Sequence, residues 1–340
     1  MPTGLVLRST GSRYLVRSAE GLHHECVAKG KLRTKGWKST NPIAVGDHVE
    51  YEPQLSAELP GAITDVLDRK NYLVRRSVNL SHHRHVIAAN LDRMLLIATV
   101  ARPRTSFGFI DRFLVSAEAY EVPVTIIFNK IDDLNEEEEL DLLALYQEIY
   151  EEIGYHTIIT SALKGIGIDK VMELLIGKVT LVAGHSGVGK STLINAIQPD
   201  LELFTLEVSE ASGKGVHTTT YAEMYELDTG AWKVPIEKKD DLPSTGKKKS
   251  ELRFDGTYLI DTPGIKGFGL VDLRGEDIGD QFPEMFKLKG ECRFNNCMHQ
   301  KEPGCAIRAA VEEGRIAESR YRSYLDMVAG VDDTSSYRVD

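Results

Sequence analysis

The chain has 340 residues, 42% of them hydrophobic and 27% charged, with 41 Lys/Arg against 51 Asp/Glu and a net charge of −10. That length allows two or three domains with buried cores. No stretch approaches the ~18 apolar residues that a bilayer span needs, and the net charge argues against binding nucleic acid by bulk electrostatics alone.

The charge is segregated. Residues 1–84 hold 13 Lys/Arg and 8 Asp/Glu, a net of +5. Residues 85–275 hold 19 and 30, and residues 276–340 hold 9 and 13. The N-terminus Met1–Leu7 runs straight into strand-like sequence. It has neither a basic, apolar-cored leader nor an Arg/Ser-rich amphipathic one, so a cytoplasmic chain is expected.

Short β-like runs open the chain at Gly4–Leu7, Tyr14–Val16, His24–Ala28, His48–Tyr51, Ala62–Val66 and Tyr72–Val74, separated by Gly, Pro and Asn. About five strands in ~75 residues without helical period predict a small barrel. A five-stranded OB-fold fits, as does an SH3-type barrel, and OB-folds often bind nucleic acid. Ser81–His85 (SHHRH) then reads as a polar, basic linker.

From about Asn90 the texture changes. Arg93–Val100 and Val122–Phe128 are continuous apolar runs, as expected of strands buried on both faces. Phe109–Tyr120, Glu136–Ile153 and Ile168–Leu175 have helical spacing, and Tyr155–Ile159 and Lys178–Ala183 are further strands. This alternation predicts a mostly parallel sheet with helices on both faces. Residues 229–256 are polar and Lys-rich and read as a surface insert. After Gly269 the chain becomes helical and cysteine-bearing.

Gly184-His185-Ser186-Gly187-Val188-Gly189-Lys190-Ser191-Thr192 fits G-x-x-x-x-G-K-[ST], the phosphate-binding loop, with a buried strand before it and a helix after it. In such a loop backbone N–H groups converge on phosphate oxygens, Lys190 meets the β/γ-phosphates and Ser191 offers a hydroxyl to Mg²⁺. Asn129-Lys130-Ile131-Asp132 lies at the C-terminal end of a buried strand. There a carboxylate can accept from guanine N1–H and N2–H₂, a donor pair adenine lacks, which selects GTP over ATP. Thr160-Ser161-Ala162 would set small side chains and a backbone N–H near the base O6.

Asp261-Thr262-Pro263-Gly264 follows the strand Tyr258–Ile260 and fits D-x-x-G, with Asp261 reaching Mg²⁺ through water and the Gly264 N–H sensing the γ-phosphate. Gly213–Thr220, with three threonines, suits a switch loop in which Thr218 or Thr219 completes the Mg²⁺ shell. The base-recognition motifs precede the phosphate loop, so the domain is expected to be circularly permuted. Cys292, Cys297, His299 and Cys305 fall within 14 residues, and a Cys₃His set can hold one tetrahedral structural zinc. Cys26, alone in a strand, reads as a small core or surface residue.

A barrel, a permuted GTPase and a Cys₃His site in that order resemble the ribosome small-subunit-dependent GTPase A family (RsgA, also called YjeQ). The resemblance covers nearly the whole chain and rests on Ile87–Asp92, Asn129–Asp132, Gly184–Thr192, His217–Thr219, Asp261–Gly264 and Cys292–Cys305. It implies a GTPase acting in late maturation of the small ribosomal subunit, stimulated by that particle, with barrel and zinc domain contacting ribosomal RNA. The expected division is a barrel over 1–82, a permuted GTPase domain over 83–275 and a zinc-binding helical domain over 276–340. The expected form is a bacterial cytoplasmic monomer with no membrane partner.

Two departures stand out. Val216 occupies a position where many members carry Arg, and the 229–256 insert is longer and more basic than a short turn. Ile265 follows Gly264, where a water-orienting Gln is usual, so slow intrinsic turnover is expected, with His217 brought in on the ribosome. A nucleotide-gated RNA-binding module that hydrolyses once for release is the competing reading. An ATP-using kinase is disfavoured by Asn129–Asp132.

Overall fold

The computed structural model describes residues 1–30, 32, 42–53, 59–76, 84–201, 222–232, 256–261, 275–330 and 338–339. Thr218, Thr219, His217 and Gly264, and most of the 229–256 insert, lie outside them.

Strands β1 (Thr3–Ser9), β2 (Tyr14–Ser18), β3 (His23–Ala28), β4 (His48–Glu52) and β5 (Gly61–Val66) form the barrel. β1 pairs with β2, β2 with β3, β3 in parallel with β5, β5 with β4, and β4 with β1, so the ring closes and leaves no open edge. Val6, Tyr14, Val16, Cys26, Ile43, Val49, Tyr51 and Ile63 fill it. Burial pushes the Cys26 thiol up to about 11, as befits an inert core residue.

β6 (Tyr72–Arg76) pairs antiparallel with β7 (Arg84–Ala89). Arg84 and His85 therefore begin a strand, where the sequence predicted a linker. Their polarity hid a ladder whose partner, β6, is equally basic at its end.

The second layer is a sheet of order β11–β10–β8–β12–β14–β13, formed by β8 (Arg93–Ala98), β10 (Val124–Phe128), β11 (His156–Ile159), β12 (Val179–Ala183), β13 (Glu223–Leu227) and β14 (Thr257–Asp261). All its pairs are parallel except the antiparallel β13–β14. Side chains alternate along β8: Met94, Leu96 and Ala98 enter one core with α1 (Phe107–Ala119) and α2 (Glu137–Glu152). Leu95 and Ile97 enter the other, with α3 (Ile168–Leu175) and α4 (Lys190–Ile197). That two-sided burial is why these strands lack polar alternation.

The barrel is bound to this sheet. β1 pairs with β13 at Arg8 and Glu223, and the Arg17 guanidinium grips both oxygens of Glu226 at 2.8 Å. Asp47, buried, takes two bonds from Arg69 at 2.6 and 2.7 Å. Asn90 donates to the Gly46 carbonyl at 2.9 Å and accepts from Lys70 N at 2.8 Å. Gly46 has φ +85°, and any Cβ there would run into the Ala89 carbonyl. The Ile87–Asp92 run is therefore the hinge that locks barrel to sheet.

The last helices are α5 (Gly275–Ile278), α6 (Pro283–Leu288), α7 (Ala306–Glu312) and α8 (Glu318–Val328). Their core includes Val115 of α1, so they pack on the sheet domain's own helix. β15 (Arg338–Val339) pairs with β9 (Arg104–Thr105). No described helix is long and apolar enough to cross a membrane.

Candidate functional site

The loops after β8, β10, β11 and β12 meet at the carboxyl ends of the parallel strands, the edge where open α/β sheets bind ligands. Gly184–Gly189 leaves β12 and opens α4 with its N-terminal N–H groups. Gly189, at φ +90°, could carry no side chain, because a Cβ would lie 2.5 Å from Asn129 Nδ2. Lys190 Nζ donates to the carbonyls of Gly184 at 2.7 Å and His185 at 2.9 Å, so it is folded back over the loop that it would leave to meet phosphate. Burial lowers its pKa and the Asp261 carboxylate opposes that shift. Ser191 and Thr192 occupy the first turn of α4, and Asp261 ends β14 opposite Val182.

Asn129 is the joint of the site. Its Nδ2 donates to the Val188 carbonyl in the phosphate loop at 2.9 Å. Its Oδ1 accepts from Thr160 Oγ1 at 3.0 Å and from Ala162 N at 3.1 Å. One buried amide thus ties together Asn129–Asp132, Thr160–Ala162 and Gly184–Thr192. Lys130, in the left-handed region at φ +65°, donates to the Arg102 carbonyl at 3.0 Å. Ser161 Oγ donates to Asp132 Oδ1 and accepts from Lys164 N at 3.0 Å. Ile131 begins a short turn that carries Asp132 outward, exposed.

Sequence reasoning missed the loop after β8. Arg102 forks onto Glu139 at 2.6 and 3.0 Å and onto Asp133 at 3.1 Å, holding the Glu139 carboxyl down to about 2. Thr105 Oγ1 lies 2.8 Å from His185 Nε2 in the phosphate loop. A basic residue two positions after a buried strand offers no distinctive spacing, and only the fold shows what it meets.

In the last helical unit Cys292, Cys297, His299 and Cys305 bring their ligand atoms within 4.8 Å of one another. Cys292 Sγ and Cys305 Sγ lie 3.6 and 3.5 Å from His299 Nδ1. Zinc–ligand bonds of about 2.0–2.3 Å give tetrahedral edges of about 3.5–3.8 Å, so the four donors fit that ion. Burial, with neighbouring thiols, pushes Cys297 up to about 12, a cost that a divalent cation would reverse. Glu302 accepts from Met298 N, Gln300 N and Lys301 N at 2.8–3.0 Å, and Tyr321 donates to the His299 carbonyl at 2.6 Å. These bonds shape the knuckle around His299.

Residues 3–61 match the model of the RsgA N-terminal domain and residues 66–234 that of the RsgA GTPase. A relative named small ribosomal subunit biogenesis GTPase RsgA in Flavobacterium psychrophilum is 49% identical over 339 residues, covering 99% of this chain and 95% of that one. Its namesake in Bacteroides fragilis is 50% identical, covering 96% of each. Among solved structures, YjeQ from Thermotoga maritima superposes with a TM-score of 0.70 at 34% identity, covering 97% of this chain and 98% of that one. YloQ, described as a circularly permuted GTPase, superposes at 0.67 with 25% identity, covering 98% and 96%. With an OB-type barrel, a permuted GTPase sheet and a C-terminal helical Cys₃His unit, this GTP hydrolase belongs to the RsgA GTPase family.

Proposed function

We propose that the chain binds the small ribosomal subunit, assists its late maturation, and hydrolyses GTP faster on that particle. The observation that carries the nucleotide part is the Asn129 joint, which ties the turn before Asp132 and the phosphate loop together at one edge of the sheet. The ribosomal part rests on relatives named for small-subunit biogenesis.

In this reading Asp132 accepts from the guanine edge and gives up its Ser161 partner, while the Ala162 region flanks O6. Lys190 exchanges the Gly184 and His185 carbonyls for phosphate oxygens, which relieves its desolvation. Ser191, Asp261 and Thr218 or Thr219 form an all-oxygen donor set suited to Mg²⁺, which would neutralise phosphate charge when bound. The Gly264 N–H senses the γ-phosphate. His217 is swung in to orient water by contact with the particle, since Ile265 has no hydrogen-bonding side chain. Cys292, Cys297, His299 and Cys305 hold a structural zinc.

Among the described residues, much of the head's positive charge is already paired. Arg8, Arg13, Arg17, Lys29, Arg69 and Lys70 are all engaged with carboxylates. The head's other cations are Lys31, Arg33, Lys35 and Lys38 between β3 and β4, and Arg75, Arg76 and Arg84 in the β6–β7 hairpin. In the last domain Lys289 lies 4.5 Å over the exposed Phe286 ring and Arg293 5.5 Å over Phe294, an arrangement that suits unpaired bases. The division at 1–82, 83–275 and 276–340 assigns RNA contact to the two ends. The protein works as a cytoplasmic monomer.

The deciding measurement is multiple-turnover GTP hydrolysis with and without mature small subunits. Stimulation is expected. Its absence sinks the ribosomal reading, and a single burst without turnover favours a nucleotide-gated binding module.

A further inference from the structure

We propose that Thr105 is a positioning residue for nucleotide binding, acting on the phosphate loop through the tautomer of His185. The inference rests on reading Gly184–Thr192 as that loop.

His185 stands second in the loop, and its ring is buried beneath it. Both ring nitrogens are bonded: Nδ1 to the Ser186 carbonyl at 3.0 Å and Nε2 to Thr105 Oγ1 at 2.8 Å. A carbonyl can only accept, so Nδ1 carries the hydrogen. The neutral ring then presents Nε2 as an acceptor, and the Thr105 hydroxyl donates to it. Thr105 Oγ1 is free to do so because its own accepting role is filled by Thr99 N at 2.9 Å. The chain of donors runs one way, from Thr99 N–H through Thr105 O–H to His185 Nε2, and from Nδ1–H to Ser186 O.

The donor is itself held firmly. Thr105 has no exposed surface, its N–H donates to the Thr99 carbonyl at 2.8 Å, and its carbonyl accepts from Tyr146 Oη at 2.6 Å. Phe109, in the first turn of α1, meets the His185 ring edge-on at 5.4 Å and 84°. The Ser186 carbonyl held by Nδ1–H belongs to the peptide that supplies the Gly187 N–H to the loop. Rotating that peptide would turn the N–H away from where phosphate binds. Lys190 Nζ also rests on the His185 carbonyl. The hydroxyl of Thr105 therefore selects the ring orientation that keeps two phosphate-directed groups in register, without touching nucleotide itself.

The test uses the full chain and a fluorescent GDP. Thr105→Val keeps the β-branched shape and removes the hydroxyl, leaving both the buried His185 Nε2 and the Thr99 N–H without that partner. It should raise the GDP dissociation constant about tenfold, while Thr105→Ser stays within about twofold of wild type. Because Thr105 acts through His185, the double variant Thr105→Val/His185→Phe should bind no more weakly than His185→Phe alone. Wild-type affinity in Thr105→Val, or losses that multiply in the double variant, would overturn the proposal. Independently of any variant's folding, ¹⁵N-histidine NMR should show His185 as the neutral Nδ1–H tautomer, its signal identified by its loss in His185→Phe, and the Nε2–H tautomer would refute it. Failure of the wild type to bind GDP would instead refute the phosphate-loop reading.

Discussion

Arg320 Nη1 donates to Asp111 Oδ1 at 2.7 Å, joining residues 209 positions apart in the interface between α8 and α1. The same guanidinium takes Glu284 at 2.8 and 3.2 Å and lies 4.5 Å over the Phe282 ring, and Tyr150 Oη donates to Asp111 at 2.8 Å. All four polar partners are buried. The cysteine-bearing helices are thereby fastened to the helix whose first turn packs on His185.

Removing Arg320 leaves the Asp111 and Glu284 carboxylates in the core without their cation. Arg320→Ala should therefore destabilise the protein by about 3–5 kcal/mol. Replacing the set together, as Arg320→Met with Asp111→Asn and Glu284→Gln, should cost less, because no uncompensated charge remains. Chemical denaturation of the two variants compares them, and equal losses would contradict the charge argument.

The proposed reading of guanine by Asp132 predicts that base selection can be inverted. Asp132→Asn offers an amide where the base needs a carboxylate, and xanthine, with a carbonyl in place of the 2-amino group, restores the pairing. GTP affinity should fall about a hundredfold or more, and that for xanthosine triphosphate should rise. Competition binding measures both, and an unchanged preference would remove Asp132 from base recognition.

Zinc uptake should release protons. Burial holds Cys297 up at about 12, so its thiol is protonated at neutral pH until a metal binds. Adding zinc to the reduced, metal-free chain at pH 7 in weak buffer should liberate about three protons per ion bound. Cys297→Ser should lower both the zinc content, read by atomic absorption, and the thermal midpoint. A full zinc complement in that variant would exclude Cys297 as a ligand.

The Arg102–Glu139 fork makes a pH prediction of its own. With Glu139 held near 2 by Arg102, the contact favours the folded state above the ordinary carboxylate value and is lost as pH falls through about 2. In Arg102→Ala, carboxyl NMR should find Glu139 titrating closer to 4.5. A titration that stays near 2 would assign the shift to the helix start and its backbone N–H groups instead.

On the particle, Phe286→Ala and Phe294→Ala should each weaken binding through lost base stacking, by about 1–3 kcal/mol where a base is seated. Lys31→Ala and Arg33→Ala should instead flatten the salt dependence. Pull-down with small subunits across a salt series distinguishes the two. No effect from any of the four would move the RNA surface elsewhere.

The strand runs of the barrel, the apolar runs at Arg93–Val100 and Val122–Phe128, the loop at Gly184–Thr192 and the Cys₃His spacing were all legible without coordinates. Each is a local pattern: alternation, continuous apolarity, glycine placement or ligand interval. The order of the motifs alone implied the permutation, since a sheet can be cut at another loop without moving its strands. The basic sign of residues 1–84 was also legible, but its use was not. Arg17 holds the barrel on the sheet and Arg69 braces the barrel's own Asp47, roles that depend on Glu226 and Asp47 arriving from elsewhere in the fold. Asp111, one polar residue in an apolar helix, had no visible partner until Arg320 came 209 positions along the chain. Thr105 and His185 are likewise ordinary in sequence and meet only because β8 and β12 are neighbours. Short-range pattern determines which elements form. Pairing of buried polar groups across long separations depends on how those elements stack, and that was decided only by the tertiary structure.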